Sequence, residues 1–252
     1  MIGAIIGDII GSRFEYNNHK DKNFELFAEE CHVTDDSIMT LAVAKAIMEA
    51  RKVIRPLAGK QEPDNKLSAL VEWMANKYIR EIGRKYPECG YGGMFAQWIA
   101  SDVPKPYNSF GNGAAMRVGP IGFAAMTEDE AVALADAVTQ ITHNHEEGLK
   151  GAEAVAVAVF MARHEKTKLE IRNRINSSYY PLDFTIDVIR EAYEFNETCQ
   201  GTVPQAIEAF LESTSFEDAI RIAISLGGDS DTLAAITGSV AGAYYGVPDE
   251  IR

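Results

Sequence analysis

Near its C-terminal end the chain reads Gly227-Gly228-Asp229-Ser230-Asp231-Thr232, directly ahead of an apolar, alanine-rich run. Carboxylates this close in sequence repel one another unless positive charge sits between them. Leu233 to Tyr245 reads as a helix, so the cluster stands at a helix N-terminus. Capping accounts for such residues taken singly: Asp, Ser and Thr accept from first-turn N–H groups, and the helix dipole favours carboxylates there. A second cluster of the same kind weakens that account. Thr34-Asp35-Asp36-Ser37 precedes the amphipathic run Ile38, Met39, Leu41, Ala42, Val43, Ala46, Ile47 and Met48. Both clusters offer only oxygen, and oxygen-only sites select Mg²⁺, Mn²⁺ or Ca²⁺ over zinc. If the two helix starts meet, their four carboxylates and two threonine hydroxyls would hold two ions about 3.5–4 Å apart. Asp8 and Glu15 would supply further oxygens, and the ions would offset the repulsion.

Two other stretches carry chemistry. Asn108-Ser109-Phe110-Gly111-Asn112-Gly113-Ala114-Ala115-Met116-Arg117 places a Gly-Asn-Gly ahead of an expected helix, where backbone N–H groups can cradle an anion. It lacks the Gly-Lys-Ser/Thr of a P-loop and the third glycine of a dinucleotide fingerprint. A plain turn with a buried ion pair at Arg117 is the alternative reading, since Gly and Asn dominate turns for local reasons. Thr142-His143-Asn144-His145 closes another predicted helix. Leu149 stands where a zinc-protease His-Glu-x-x-His would need its second histidine, and no cysteine is near, so zinc is disfavoured. A ligand contact by one histidine and an ordinary surface histidine both fit.

The elements that position these residues read as helices. Ile2 to Gly11 has helical apolar spacing, with Gly3, Gly7 and Gly11 forming a bare stripe suited to close packing. Ser12 to Glu15 reads as a turn. Tyr16 to His32 is a long polar loop and a candidate lid. Arg51 to Asn65, with Pro56, Gly59 and Pro63, reads as a loop, Leu67 to Ile82 as a helix and Met94 to Ala100 as a short one. Pro104 to Gly122 is the most irregular stretch. Glu128 to Thr142 is expected to be helical behind a Thr127/Glu130 capping box. Gly148 to Ala162, apolar almost all round, is expected to be a buried central helix. Lys166 to Ser178 reads as a charged, exposed segment. Phe184 to Phe195, Val203 to Leu211 and Phe216 to Ser225 complete the helical set. With no strand succession, repeat or βαβ rhythm, the expectation is one all-α domain over residues 1–252.

The bulk properties exclude several functions. Net charge is −13 over 252 residues, which argues against a general nucleic-acid binder. Cys31, Cys89 and Cys199 are odd in number and scattered, so no disulfide framework is expected, and a reducing cytoplasm is the predicted location. The N-terminal run lacks the basic start of a signal peptide. No stretch approaches the roughly 18 uncharged apolar residues of a membrane span.

Taken in order, Gly3-x-x-x-Gly7-Asp8-x-x-Gly11-x-x-x-Glu15, Thr34-Asp35-Asp36-Ser37, Gly111-Asn112-Gly113-x-x-Met116-Arg117, Thr142-His143 and Gly228-Asp229-Ser230-Asp231-Thr232 resemble the ADP-ribosylglycohydrolase family, which includes the dinitrogenase reductase-activating glycohydrolases. The resemblance runs from residue 3 to about residue 245. It implies a compact all-α fold of orthogonal helices around a binuclear Mg²⁺ or Mn²⁺ site. The implied ligands are Thr34, Asp35, Asp36, Asp229, Asp231 and Thr232, and Glu15, Asp36 and Asp229 form the implied catalytic set. Gly111, Asn112, Gly113, Met116, Arg117 and His143 match positions around the ADP-ribose phosphates and ribose. Phe110 suits stacking by its chemistry, not by a motif match. The implied partner is ADP-ribose on a protein or small molecule, and the protein is expected to be a monomer. The implied reaction cleaves the ribose C1 bond to a modified side chain, arginine foremost, releasing ADP-ribose. Hydrolysis of small derivatives such as O-acetyl-ADP-ribose, or binding of ADP-ribose without cleavage, are the alternatives. The loops Tyr16–His32 and Tyr86–Gly93 would shape the leaving-group side.

Overall fold

The computed structural model describes residues 1–54 and 65–252. Helix α1 (Ile2–Gly11) lies against α12 (Ser230–Tyr244) along the glycine stripe. A Cβ added at Gly3 would stand 2.2 Å from the carbonyl oxygen of Gly238, and one at Gly7 would stand 2.0 Å from that of Ala234. At Gly11 it would stand 2.6 Å from the Cα of Asp231. Only bare backbone permits this approach. The contact has a functional result, because it sets the end of α1 against the acidic start of α12. Gly7→Ala is expected to cost about 3 kcal/mol, the top of the usual overpacking range, because the atom it would strike is backbone. Urea unfolding checks this through a lower midpoint at unchanged slope.

The remaining helices are α2 (Asp35–Ile54), α3 (Asn65–Gly83), α4 (Gly93–Ala100), α5 (Gly119–Ala124), α6 (Glu128–Thr139), α7 (Glu146–Arg163), α8 (Lys168–Ser178), α9 (Ile186–Ile189), α10 (Cys199–Glu212) and α11 (Phe216–Ile224). Among the described residues there is no strand, only an isolated bridge between Gly111 and Thr198, as the all-α reading requires. Helix α7 is central as expected: Ala152 and Ala154 to Val159 are fully buried, and the helix packs on α5, α6, α10 and α12. The cysteines are free, and Cys199 donates to the carbonyl of Gly111 at 3.2 Å.

Several boundaries differ from the sequence reading. Arg51 to Ile54 belong to α2; residues 55–64 of the loop expected there lie outside the described residues. The helix expected over 184–195 contracts to α9, because the carbonyls of Arg190 and Tyr193 turn to the ammonium of Lys20 instead of continuing the ladder. The one expected over 128–142 ends at Thr139, and Thr142 turns its hydroxyl to Arg117 and His143. Thr127 caps α6, but the Glu130 carboxylate accepts from the N–H of Met126, one residue earlier than a capping box requires. The complete box is at Thr167 and Glu170, heading α8 in the segment expected to be merely exposed. Helix α5, with Pro120 in its first turn, falls within the stretch read as irregular.

Where α6 meets α7, burial and the Asp136 carboxyl push Glu153 up to about 7. Its folded value exceeds its unfolded one, so the folded state holds the extra proton and loses stability as pH rises from about 4.5 through 7. Glu153→Gln can still donate to Asp136 and is expected to be more stable than wild type at pH 8 by about 1 kcal/mol, a figure discounted for partial exposure. Thermal unfolding at pH 5 should show no such gain.

Candidate metal centre

Asp8 is fully buried on α1, and its carboxylate caps α2 from outside that helix. It accepts from the Thr34 hydroxyl at 2.6 Å and from the N–H groups of Thr34 and Ser37 at 3.2 and 3.1 Å. The Thr34 hydroxyl in turn accepts from the N–H of Asp36 at 3.3 Å. Of the two caps open to the sequence, Thr34 or Asp35, the structure uses Thr34, and Asp8 adds a second cap from another helix. At α12 the cap position is Asp229, whose side chain makes no capping bond. Its Oδ2 accepts instead from Asn112 Nδ2 at 2.6 Å. Gly227 and Gly228 reverse the chain into this position at φ +73° and +72°, a backbone shape that L side chains resist. Neither acidic cluster is therefore used up as a helix cap.

The two helix starts meet. Thr232 donates to Asp36 Oδ2 at 3.1 Å across the junction of α2 and α12. Asp36 is 2 % exposed and Asp231 3 %, and the Oδ1 of each is buried with no hydrogen-bond partner. Glu15, Asp229 and Asp231 present carboxylate oxygens within 4.8 Å of one another. Buried carboxylates so placed resist ionisation. Burial first, then Asp8, Asp35 and Asp229, hold Asp36 well above the usual carboxylate range. Asp231 is held there by burial and by Asp36, Asp229 and Glu15. Burial, Asp8 and Asp229 bring the half-buried Asp35 to about 7, and burial raises Glu15 as well. The hydroxyl protons of Thr34 and Thr232 are committed to Asp8 and Asp36, which leaves each oxygen as an acceptor. Crowded carboxylates, two orphaned oxygens and acceptor hydroxyls fit hard divalent cations.

Of the two readings open for the Gly-Asn-Gly stretch, anion cradle or turn, the structure has the turn. It runs into a 3-10 turn over Asn112–Ala114, and α5 begins only at Gly119, so no long helix starts behind it. The N–H of Gly111 donates to Ser109 Oγ at 3.1 Å and that of Asn112 to the Glu197 carbonyl at 2.7 Å. The Asn112 side chain reaches inward to Asp229 and to Thr202 Oγ1. His143 lies against this stretch, with Nε2 3.4 Å from where a Cβ on Gly113 would stand. Its Nδ1 pairs with the Thr142 hydroxyl at 2.7 Å. Arg117 is fully buried and donates to that same hydroxyl at 2.7 Å. The buried ion pair considered for Arg117 is thus replaced by a bond to Thr142, a cation–π contact with Phe95 and a contact to the Val138 carbonyl. Burial and Arg117 drive His143 well below its ordinary value, so its imidazole is neutral. Met116 packs in the core, and Thr40 bonds its carbonyl. Met116 and Arg117 therefore support the stretch from behind, whereas Phe110 is exposed against the ring of His145.

A sequence profile of the ADP-ribosylglycohydrolase family matches residues 1–252. The chain belongs to this family. It is 26 % identical over 323 residues to ADP-ribosylhydrolase ARH3 of Homo sapiens, covering 98 % of this chain and 84 % of that protein. Similarity to ADP-ribosylarginine hydrolase Tri1 of Pseudomonas putida strain GB-1 is also 26 %, over 272 residues, covering 98 % of this chain and 70 % of the relative. A solved structure described as an ADP-ribosylglycohydrolase-related protein complex superposes with a TM-score of 0.68 at 21 % identity, over 99 % of this chain and 88 % of that one. It shows that the two share a fold.

The site has neighbours beyond the residues singled out individually from the sequence. Tyr16, directly after Glu15, stacks on Phe195 with ring centroids 6.0 Å apart. Asn196 and Glu197 offer their carbonyls to Asn112, and Thr202 supports the same side chain. An aromatic beside a candidate catalytic glutamate was the one available signal. The others act through backbone groups or lie far away in the chain. No described helix is long and apolar enough to cross a membrane.

Proposed function

We propose that this ADP-ribosylglycohydrolase cleaves the bond between the terminal ribose C1 and an arginine side chain of an ADP-ribosylated protein, releasing ADP-ribose. Two Mg²⁺ or Mn²⁺ ions would be held by Thr34, Asp35, Asp36, Asp229, Asp231 and Thr232. The observation that carries this reading is the junction of two acidic helix starts, with Asp36 Oδ1 and Asp231 Oδ1 buried and unpartnered. Bound divalent ions supply Lewis-acid polarisation of oxygen ligands. The protein's own groups do the rest. Glu15, at the edge of the cluster and raised by burial, takes a proton from the water that adds to ribose C1 and returns it to the guanidine nitrogen as the C1–N bond breaks, since a raised value brings a base closer to working pH. Asp229 is oriented for its part by Asn112. Neutral His143 and exposed Phe110 hold the ADP-ribose body, and the bare faces of Gly111 and Gly113 in the stretch beside His143 leave room for it. Arg117, lowered to about 10 by burial, still carries its charge at neutral pH and places positive potential behind that stretch. This explains how a chain of net charge −13 accepts a diphosphate.

Arginine is favoured over other acceptors by the Tyr16–Phe195 stack beside Glu15. Aromatic faces next to a carboxylate suit a planar guanidinium. The relative Tri1, whose name records action on ADP-ribosylarginine, supports the same choice. Initial rates on an arginine-ADP-ribosylated protein and on O-acetyl-ADP-ribose test it. Faster turnover of the ester would move the substrate to small derivatives, and tight ADP-ribose binding with neither reaction would leave a binding protein.

A further inference from the structure

The polar stretch 16–32, with the length and composition of a lid, is tied down. Lys20 is half-buried, and its ammonium donates to the carbonyls of Arg190, Tyr193 and Leu226 at 2.7, 2.6 and 2.7 Å. An ammonium has three donors, and all three are spent on backbone. Asn18 Oδ1, two residues earlier, accepts from the N–H of Gly228 at 2.9 Å. A Cβ on Gly227 would stand 2.0 Å from Asn18 Oδ1 and 3.1 Å from Lys20 Nζ, so this clamp needs the glycine for space as well as for its φ of +73°. Farther along, Arg221 binds the carbonyls of Lys22 and Phe24, at 3.0 and 2.7 Å.

The three segments that Lys20 joins all enter the site. The strap itself begins beside Glu15 and Tyr16. The Leu226 carbonyl opens the glycine turn that presents Asp229 and Asp231. Residues 190–193 lead to Phe195, on which Tyr16 stacks, and to Asn196 and Glu197, whose carbonyls hold Asn112. We propose that Lys20 is a positioning residue for the hydrolysis: its ammonium fixes the Glu15 strap, the Asp229 turn and the Phe195 segment in one register. Lys20 acts through three carbonyls. Removing its donors leaves those carbonyls unpaired and frees the segments to drift apart. The proposal rests on the hydrolytic reading above.

The test compares full-length wild type, Lys20→Met and Lys20→Arg. Methionine keeps the length and the apolar stem without the donors. Initial rates on an arginine-ADP-ribosylated protein with Mn²⁺ should show kcat lower by about 10- to 100-fold in Lys20→Met, the cost of a small misplacement of reacting groups, with KM changed far less. Lys20→Arg should regain part of kcat. Glutamyl endopeptidase should cut the native strap at Glu25, Glu29 or Glu30 about 10-fold faster in Lys20→Met, because cleavage follows the population of the opened segment. Unchanged kcat per folded molecule in Lys20→Met overturns the proposal. If that variant does not fold, Lys20→Gln, whose shorter side chain keeps an amide donor but not the three-way ammonium, decides: a kcat loss of the same kind supports the clamp and wild-type kcat overturns it. If wild type itself releases no ADP-ribose, the substrate reading has failed, and strap cleavage then decides alone: acceleration keeps the clamp and an unchanged rate rejects it.

Discussion

Asp231→Asn is expected to lower ADP-ribose release by at least about 1,000-fold, roughly 4 kcal/mol of transition-state stabilisation, while the helical fold survives. Asparagine has nearly the same shape, so packing at the start of α12 is kept. It removes one of the three carboxylates whose oxygens lie within 4.8 Å of each other, and it takes away the orphaned buried Oδ1 charge. The same change relieves repulsion with Asp36, Asp229 and Glu15. The metal-free variant should therefore melt no lower than the metal-free wild type, and somewhat higher at alkaline pH. Loss of activity together with retained or raised stability separates a functional carboxylate from a structural one. A variant that keeps wild-type turnover would remove Asp231 from the site.

The second large effect is stabilisation by the cations themselves. At about 100 times its dissociation constant a ligand that binds only the folded state adds about 2.7 kcal/mol. For a chain of this size that corresponds to a rise in Tm of roughly 5–10 °C. The gain should depend on pH with a definite sign. Asp35, Asp36, Asp229 and Asp231 all lie above their ordinary values, Asp35 at about 7. Without cations the folded protein holds more protons than the unfolded chain, so its stability falls as pH climbs from about 4 through 7. Cations compete with those protons, so the rise in Tm on adding Mn²⁺ to chelated protein should be larger at pH 8 than at pH 6. A rise that is larger at pH 6, or absent at both, would contradict an ion-holding cluster. Melting curves in chelator and in Mn²⁺ at the two pH values are sufficient.

Much of the site's framework was legible because it rests on side-chain types with strong local meaning. The glycines at 3, 7 and 11 signal close packing wherever they fall on one helical stripe, and α12 is what they pack against. Two oxygen-only helix starts signal a hard-cation site if they converge, and the Thr232–Asp36 bond shows that they do. The sequence did not reveal that Asp8 caps α2 alongside Thr34, because those bonds cross from another helix. Lys20 was invisible for a related reason. Its partners are carbonyls 170 or more positions away, and a carbonyl carries no residue signature. Those same bonds explain why the periodicity of residues 184–195 overstated the helix there. At Gly111-Asn112-Gly113 local composition was ambiguous between cradle and turn. The structure makes it a turn whose asparagine serves Asp229.

One titration decides whether the junction of α2 and α12 holds divalent cations that the hydrolysis of ADP-ribosyl-arginine requires. Chelator-stripped protein is given an arginine-ADP-ribosylated substrate, Mn²⁺ is added stepwise, and released ADP-ribose is measured alongside the Asp231→Asn variant. The expected result is no release without metal, saturable release as Mn²⁺ is added, and none from the variant at the same concentrations. Release that proceeds undiminished in chelator, or equally from Asp231→Asn, would contradict it.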